Sequence, residues 1–141
     1  MKVRNLTLTA CLLASCVWCF SLVSQANSAE PSSAGFKPVA SVEGLMNGQV
    51  LVFKQIGKLV ANENAPKRIK RIHAYAEVLA ELANVNTFNS EKTDYQGWAG
   101  DLRDESLELS VAAKKGADSG SMSQIMARMK ATCESCHDVY Q

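Results

Sequence analysis

Aromatic residues are scarce, at 6% of 141, and so are proline, with three, and histidine, with two. A surplus of either charge is also missing, since 15 Lys+Arg stand against 14 Asp+Glu for a formal net charge of +1. So neutral a chain has no basic field to hold a polyanion by counterion release, which argues against a nucleic-acid partner. Only eight Gly and three Pro among 47% hydrophobic residues argue against a collagenous or disordered chain. No stretch alternates with period two over strand length, and no Asn-Gly or Asp-Gly pair separates two β-rich runs, so a sheet is not expected. A nucleophile, base and orienter cannot be assembled from Ser, His and Asp, and no enzyme activity is indicated. What is left is one small core-bearing domain.

Long apolar runs are absent except at the start. Lys2 and Arg4 precede an uncharged run from Leu6 to Val23, followed by small polar residues before Glu30. This is the layout of a secretory signal over residues 1–29, with cleavage after Ala26 or, preferably, Ala29. An uncleaved anchor is the alternative, because about 18 apolar residues just suffice to span a bilayer, but Thr7, Thr9, Ser15 and Ser21 dilute the run. Leu13-Ala14-Ser15-Cys16 also resembles a lipoprotein box, although Val17-Trp18-Cys19-Phe20 makes a poor tether. Export to the periplasm removes Cys11, Cys16 and Cys19. The mature chain is then one unit more acidic than basic, has no stable membrane span, and keeps Cys133 and Cys136. Two lone thiols in an oxidising compartment call for an explanation.

Residues 30–40 are small, polar and proline-punctuated, a lead-in without a core face. From Ser41, a good N-cap, Val42, Leu45, Met46, Val52, Phe53, Ile56, Leu59 and Val60 recur at helical spacing until residues 62–66. A second run carries Ile69, Ile72, Tyr75, Ala76, Leu79, Leu82 and Ala83, and stops between Asn84 and Asn89. Thr93 with Gln96 reads as a capping box, and Gly116 as a helix end, for a third helix over 94–115. Ser121 with Gln124 repeats the capping signal before Ile125, Met129, Cys133, Cys136 and Tyr140. Helices of about 18 to 22 residues, roughly 27 to 33 Å at 1.5 Å per residue, joined by short loops, predict an all-α antiparallel four-helix bundle over residues 41–141.

The chemistry sits at Cys133-Glu134-Ser135-Cys136-His137. C-x-x-C-H is the attachment motif of covalent haem c. Positions i and i+3 share a helix face, so the two sulfurs can add to the two vinyl groups of one porphyrin. Position i+4 shares that face too, which lets His137 offer its imidazole to the iron from the proximal side. A zinc site needs further Cys or His ligands, and His73 stands alone. A thioredoxin-type site expects a strand before its helix, and these flanks are helical. One covalent haem c is therefore the expected cofactor.

A helical domain ending in C-x-x-C-H-x-x-Tyr, with Ala-Glu-Val-Leu-Ala-Glu-Leu-Ala over 76–83 in its second helix, resembles the class II cytochromes c, the family of cytochrome c-prime and its low-spin relatives. The resemblance implies haem buried within a four-helix bundle and an exported location. It implies a distal choice as well. Low-spin members close the sixth iron position with a methionine early in the first helix, where Met46 falls. In cytochrome c-prime a nonpolar residue leaves that position open. One departure is Gln141, where members commonly carry a basic residue after the tyrosine.

Other residues have plainer readings beside functional ones. Gln49, one turn after Met46, could hydrogen-bond a small molecule on the iron or merely reach solvent. His73 is a second candidate ligand, although helix packing is the better reading because the family supplies no ligand there. Met122, Met126 and Met129 form a sulfur-rich stripe best read as core, with Met129 also placed to line a haem. Trp98 and Phe53 would wall the cofactor or fill the core. Gly44 and Gly48 permit close approach of a ring or a helix. With His137 and Met46 both bound, the iron is six-coordinate and suits a carrier of single electrons between redox protein donors and acceptors. A vacant sixth position would instead bind NO or CO, and a helical interaction module with a Cys-x-x-Cys disulfide is the non-haem alternative. A homodimer is compatible with either haem reading.

Overall fold

The computed structural model describes residues 36–140, which belong to one structural unit. The leader, Cys16, most of the lead-in and Gln141 lie outside the described residues. Four helices follow in order: α1 (Val42–Ala61), α2 (Arg68–Asn86), α3 (Thr93–Lys114) and α4 (Ser119–Tyr140). No strand occurs among the described residues. No described helix is long and apolar enough to cross a membrane.

The helix ends show why the chain folds where it does. Ser41 caps α1 by accepting from the Gly44 N–H at 3.1 Å. Gly116 ends α3 in the left-handed region (φ 74°), and the Ala117 N–H returns to the Ala112 carbonyl at 3.0 Å. Neither expected capping box forms. Thr93 lies inside α3, and Gln96 donates to the Ser90 carbonyl at 2.9 Å instead of reaching back to the cap. Ser121 lies inside α4, where Asp118 accepts from its backbone N–H at 2.9 Å and from its hydroxyl at 2.7 Å. A carboxylate one residue before the helix is the stronger cap, since its negative charge also meets the positive end of the dipole.

Tertiary hydrogen bonds fix the helix directions. Arg68, which opens α2, donates to the Leu59 carbonyl at 2.8 Å and the Val60 carbonyl at 3.2 Å at the end of α1, and to the Ser119 hydroxyl at 2.6 Å at the start of α4. At the other end the Tyr140 hydroxyl donates to Asp94 at 2.6 Å, and that of Tyr95 to Asn86 at 2.8 Å. The helices therefore run up, down, up and down, an antiparallel four-helix bundle as the loop lengths predict. Arg68 also offsets a local conflict. Lys67, Arg68, Lys70 and Arg71 crowd the positive end of α2, and Arg68 turns its charge to the negative end of α1.

The core is built from Ile56, Ile72, Leu79, Leu109, Met122 and Met129, each with essentially no exposure. α2 packs broadly against α1 and α3, and α3 against α4, whereas α1 and α4 share the thinnest seam. Gly57 lies on that seam, where a Cβ would meet the Met126 methyl at 3.5 Å. Gly48 faces Leu82 on α2, and Gly44 faces the Ser41 hydroxyl. The lead-in is not wholly without contacts, because Phe36 packs on Phe88 with ring centroids 4.7 Å apart.

Candidate cofactor site

A cavity of about 210 Å³ opens in the half of the bundle where α1 and α3 begin and α2 and α4 end. Met46, Gln49 and Phe53 of α1 form one wall, and Cys133, Cys136 and His137 of α4 form another. Leu79 and Asn86 of α2 and Tyr95, Trp98, Ala99 and Leu102 of α3 line it further, with Val50 and Lys54 of α1 and Lys130, Thr132 and Glu134 of α4. The wall is mostly hydrocarbon, the usual character of a ligand pocket. Residues 80 to 91 positions apart thus meet at one place.

The α4 wall follows from helix periodicity. Cys133, Cys136 and His137 stand at i, i+3 and i+4 and share one face. Cys136 is buried and Cys133 is partly buried against the core. Both are free thiols. Burial pushes both thiols up from their ordinary pKa, with added repulsion from Cys136 and Glu105 at Cys133 and from Asp94 at Cys136. They are therefore held protonated, the reverse of the depressed thiol that drives disulfide exchange. Among the described residues no hydrogen bond or ion pair engages the His137 ring. Neighbouring contacts hold α4 in register. Thr132 donates to Glu105 on α3 at 3.1 Å, and Lys130 pairs with Glu134 one turn on.

The last turn of α4 is clamped by the first turn of α3. The Tyr140 ring meets Tyr95 and Trp98 edge-on, with centroids 5.5 and 6.0 Å away, and Lys92 lies 4.7 Å over its face. Its hydroxyl bond to Asp94 holds that carboxyl below the ordinary range and pushes the phenol up to about 12. Tyr95 sits beneath, donating to Asn86, whose Oδ1 also accepts from the Asn89 amide at 3.1 Å.

On α1, Met46 is half-buried and Gln49 is 7% exposed. The Gln49 Nε2 has no hydrogen-bond partner among the described residues. Buried amides are seldom left so, and the cavity is the place from which a partner can come. Met46, Cys133, Cys136 and His137 are thus brought to one cavity, together with Gln49, Phe53 and Trp98. His73 is not. Its Nδ1 shares a hydrogen bond with the Ser110 hydroxyl at 2.7 Å, and its Nε2 lies 3.6 Å from Glu77, which is the packing role expected of it. Met122 and Met129 are buried core and line no part of the cavity.

Sequence reasoning did not find Asn86, Tyr95 or Leu102 as lining residues. Leu102 had a signal in its helical spacing, but Asn86 reads as a helix end and Tyr95 as a first-turn residue. No group of three or more His, Cys, Asp or Glu side chains able to hold a metal ion occurs among the described residues. The residues present do fit a haem. They offer two protonated thiols and an imidazole on one helical stripe, a thioether on another wall, an apolar lining and one unsatisfied donor. No protein-family model, curated protein or solved structure matches the chain.

Proposed function

We propose that the protein is an exported c-type cytochrome, similar to the low-spin class II cytochromes c, that carries single electrons between protein partners. The observation that carries this reading is the convergence of Met46, Cys133, Cys136 and His137 on one apolar cavity. Cys133 and Cys136 would hold the macrocycle by thioether bonds. Each S–H would add across one vinyl C=C, its hydrogen passing to carbon, so that no oxidant would be required. His137 would hold the iron on the α4 side and Met46 on the α1 side. The bound haem supplies a one-electron ferric/ferrous couple, which burial and thioether ligation bias toward the ferrous form. The chain's own part is to exclude water, fix the imidazole and keep both ligands in place through reduction, so that little reorganises.

A specific observation favours a second reading. Met46 is only half-buried and the Gln49 amide is unsatisfied, which suits a five-coordinate iron whose α1 side takes NO or CO. The disulfide-module reading has less support, because both thiols are shifted away from the reactive form.

The test is purification from cells carrying the c-type maturation machinery, followed by a pyridine haemochrome assay, intact mass, and optical and EPR spectra. One haem per chain and a low-spin spectrum at neutral pH are expected. Conversion to high spin in Met46→Ala would identify the sulfur as the ligand. A high-spin wild type would replace the carrier with the gas-binding reading, and a protein without added macrocycle would defeat both.

A further inference from the structure

The Gln49 side chain is the one buried polar group that the described chain leaves unsatisfied. Among the described residues no oxygen or sulfur accepts from its Nε2, although it lines the cavity three residues after Met46. The amide and hydroxyl groups of Asn86, Tyr95 and Thr132, which share the lining, are engaged elsewhere. Asn86 accepts from Tyr95 and Asn89, and Thr132 gives its hydroxyl to Glu105. Leaving a buried amide without a partner is destabilising, and an apolar residue of similar length would avoid the penalty. The penalty disappears once the cavity receives a group that accepts a hydrogen bond.

We infer that Gln49 anchors the occupant of the cavity by donating its amide N–H to an oxygen atom that the occupant brings in. This rests on the haem reading above, because the lining that suits a macrocycle is the lining that contains Gln49. Two sources present such an oxygen: a carboxylate side chain of the macrocycle, or a small molecule held on the iron. The chemistry is shared. In a dry apolar site a single N–H aimed at a partly negative oxygen counts for more than it does in water.

The test compares haem-loaded wild type with Gln49→Leu, which removes the donor, and Gln49→Glu, which keeps the length but replaces the amide by an acceptor. Wild type is first shown to carry haem by its pyridine haemochrome. An absent signal there defeats the cofactor reading, and this inference with it, before any variant is compared. Redox titration across pH reads the carboxylate source. Loss of the donor should raise the pH at which the potential changes by about one unit, a tenfold change in ionisation. Stopped-flow release of NO reads the other source. Gln49→Leu should lose the gas about tenfold faster while its pH profile stays put. Gln49→Glu should exceed Gln49→Leu in whichever measurement moves, and it carries the test if Gln49→Leu does not fold. Haem-loaded variants that match wild type within twofold in both measurements overturn the anchoring role and leave the cofactor reading standing.

Discussion

The same four helices close tightly at one end of the bundle and leave a cavity at the other. At the closed end, where α1 ends and α2 and α4 begin, Ile56, Ile72, Leu109 and Met122 have no exposure, and Gly57 lets Met126 seal the seam between α1 and α4. Polar groups there are matched. Arg68 meets two carbonyls and Ser119, and Ser119 in turn donates to Glu63 at 2.6 Å. At the open end the seam is lined by Met46, Cys133 and His137, with Gln49 unsatisfied beside them. Packing to near-crystalline density is thus within this sequence's reach. The unfilled half is a property of the residues chosen there, which include both thiols and the His137 imidazole.

Truncations should separate the two halves most sharply. Leu109→Ala, in the closed half, should cost about 2 to 5 kcal/mol, because close-packed neighbours cannot collapse into the void. Leu102→Ala borders space that already exists and should cost distinctly less in the haem-free chain. Urea unfolding of both variants checks this, and equal losses would show that the two halves are packed alike. Arg68→Ala comes next. It removes three hydrogen bonds at the closed end and should lower stability by about 1 to 3 kcal/mol, with little change in the spectrum of bound haem.

Filling the open half should work the other way. Ala99 lies on the lining and is 7% exposed, so Ala99→Leu adds apolar bulk to the cavity without disturbing the helix. The haem-free protein should gain about 1 kcal/mol while covalent loading falls, read by thermal melts and by haem per chain. A variant that loads haem at the wild-type level would place the macrocycle elsewhere.

The closed half was largely readable from sequence, and the open half only in its chemistry. Gly116 and the spacing of Ile56, Ile72 and Leu109 are local signals, and local signals decide helix ends and core faces. The C-x-x-C-H spacing is local too, so the α4 wall was legible, as was the place of Met46 on α1. The capping boxes misled because Asp118 and the Ser90 carbonyl, neither part of the pattern, compete for the same groups. Pairs such as His73 with Ser110, or Tyr140 with Asp94, join residues 37 and 46 positions apart and leave no periodic trace. The lone Gln49 amide is illegible for a related reason. An amide on a helix announces itself as orphaned only when every neighbour is known.

The smallest effect should come from the clamp between α3 and α4, and pH reads it. Asp94 is held below its ordinary pKa, so the contribution of its bond with Tyr140 is present above the unfolded value near 3.8 and is lost as pH falls through the lowered folded value. The phenol is raised to about 12, so its contribution is full below the unfolded value of 10.0 and is lost as pH rises from there through about 12. Tyr140→Phe keeps both edge-on ring contacts but removes the hydroxyl, and should lower stability slightly in the middle of the profile and converge on wild type at both extremes, so that both limbs flatten. Melting temperatures at pH 3, 7 and 11 would measure this. Because His137 precedes Tyr140 by a single helical turn, the same titration followed in the haem spectrum tells whether the clamp also steadies the imidazole. Spectral changes that follow the acid limb in wild type and vanish in Tyr140→Phe would tie the closing turn of α4 to the ligand it carries. A spectrum indifferent to both would confine the clamp to holding the helix end.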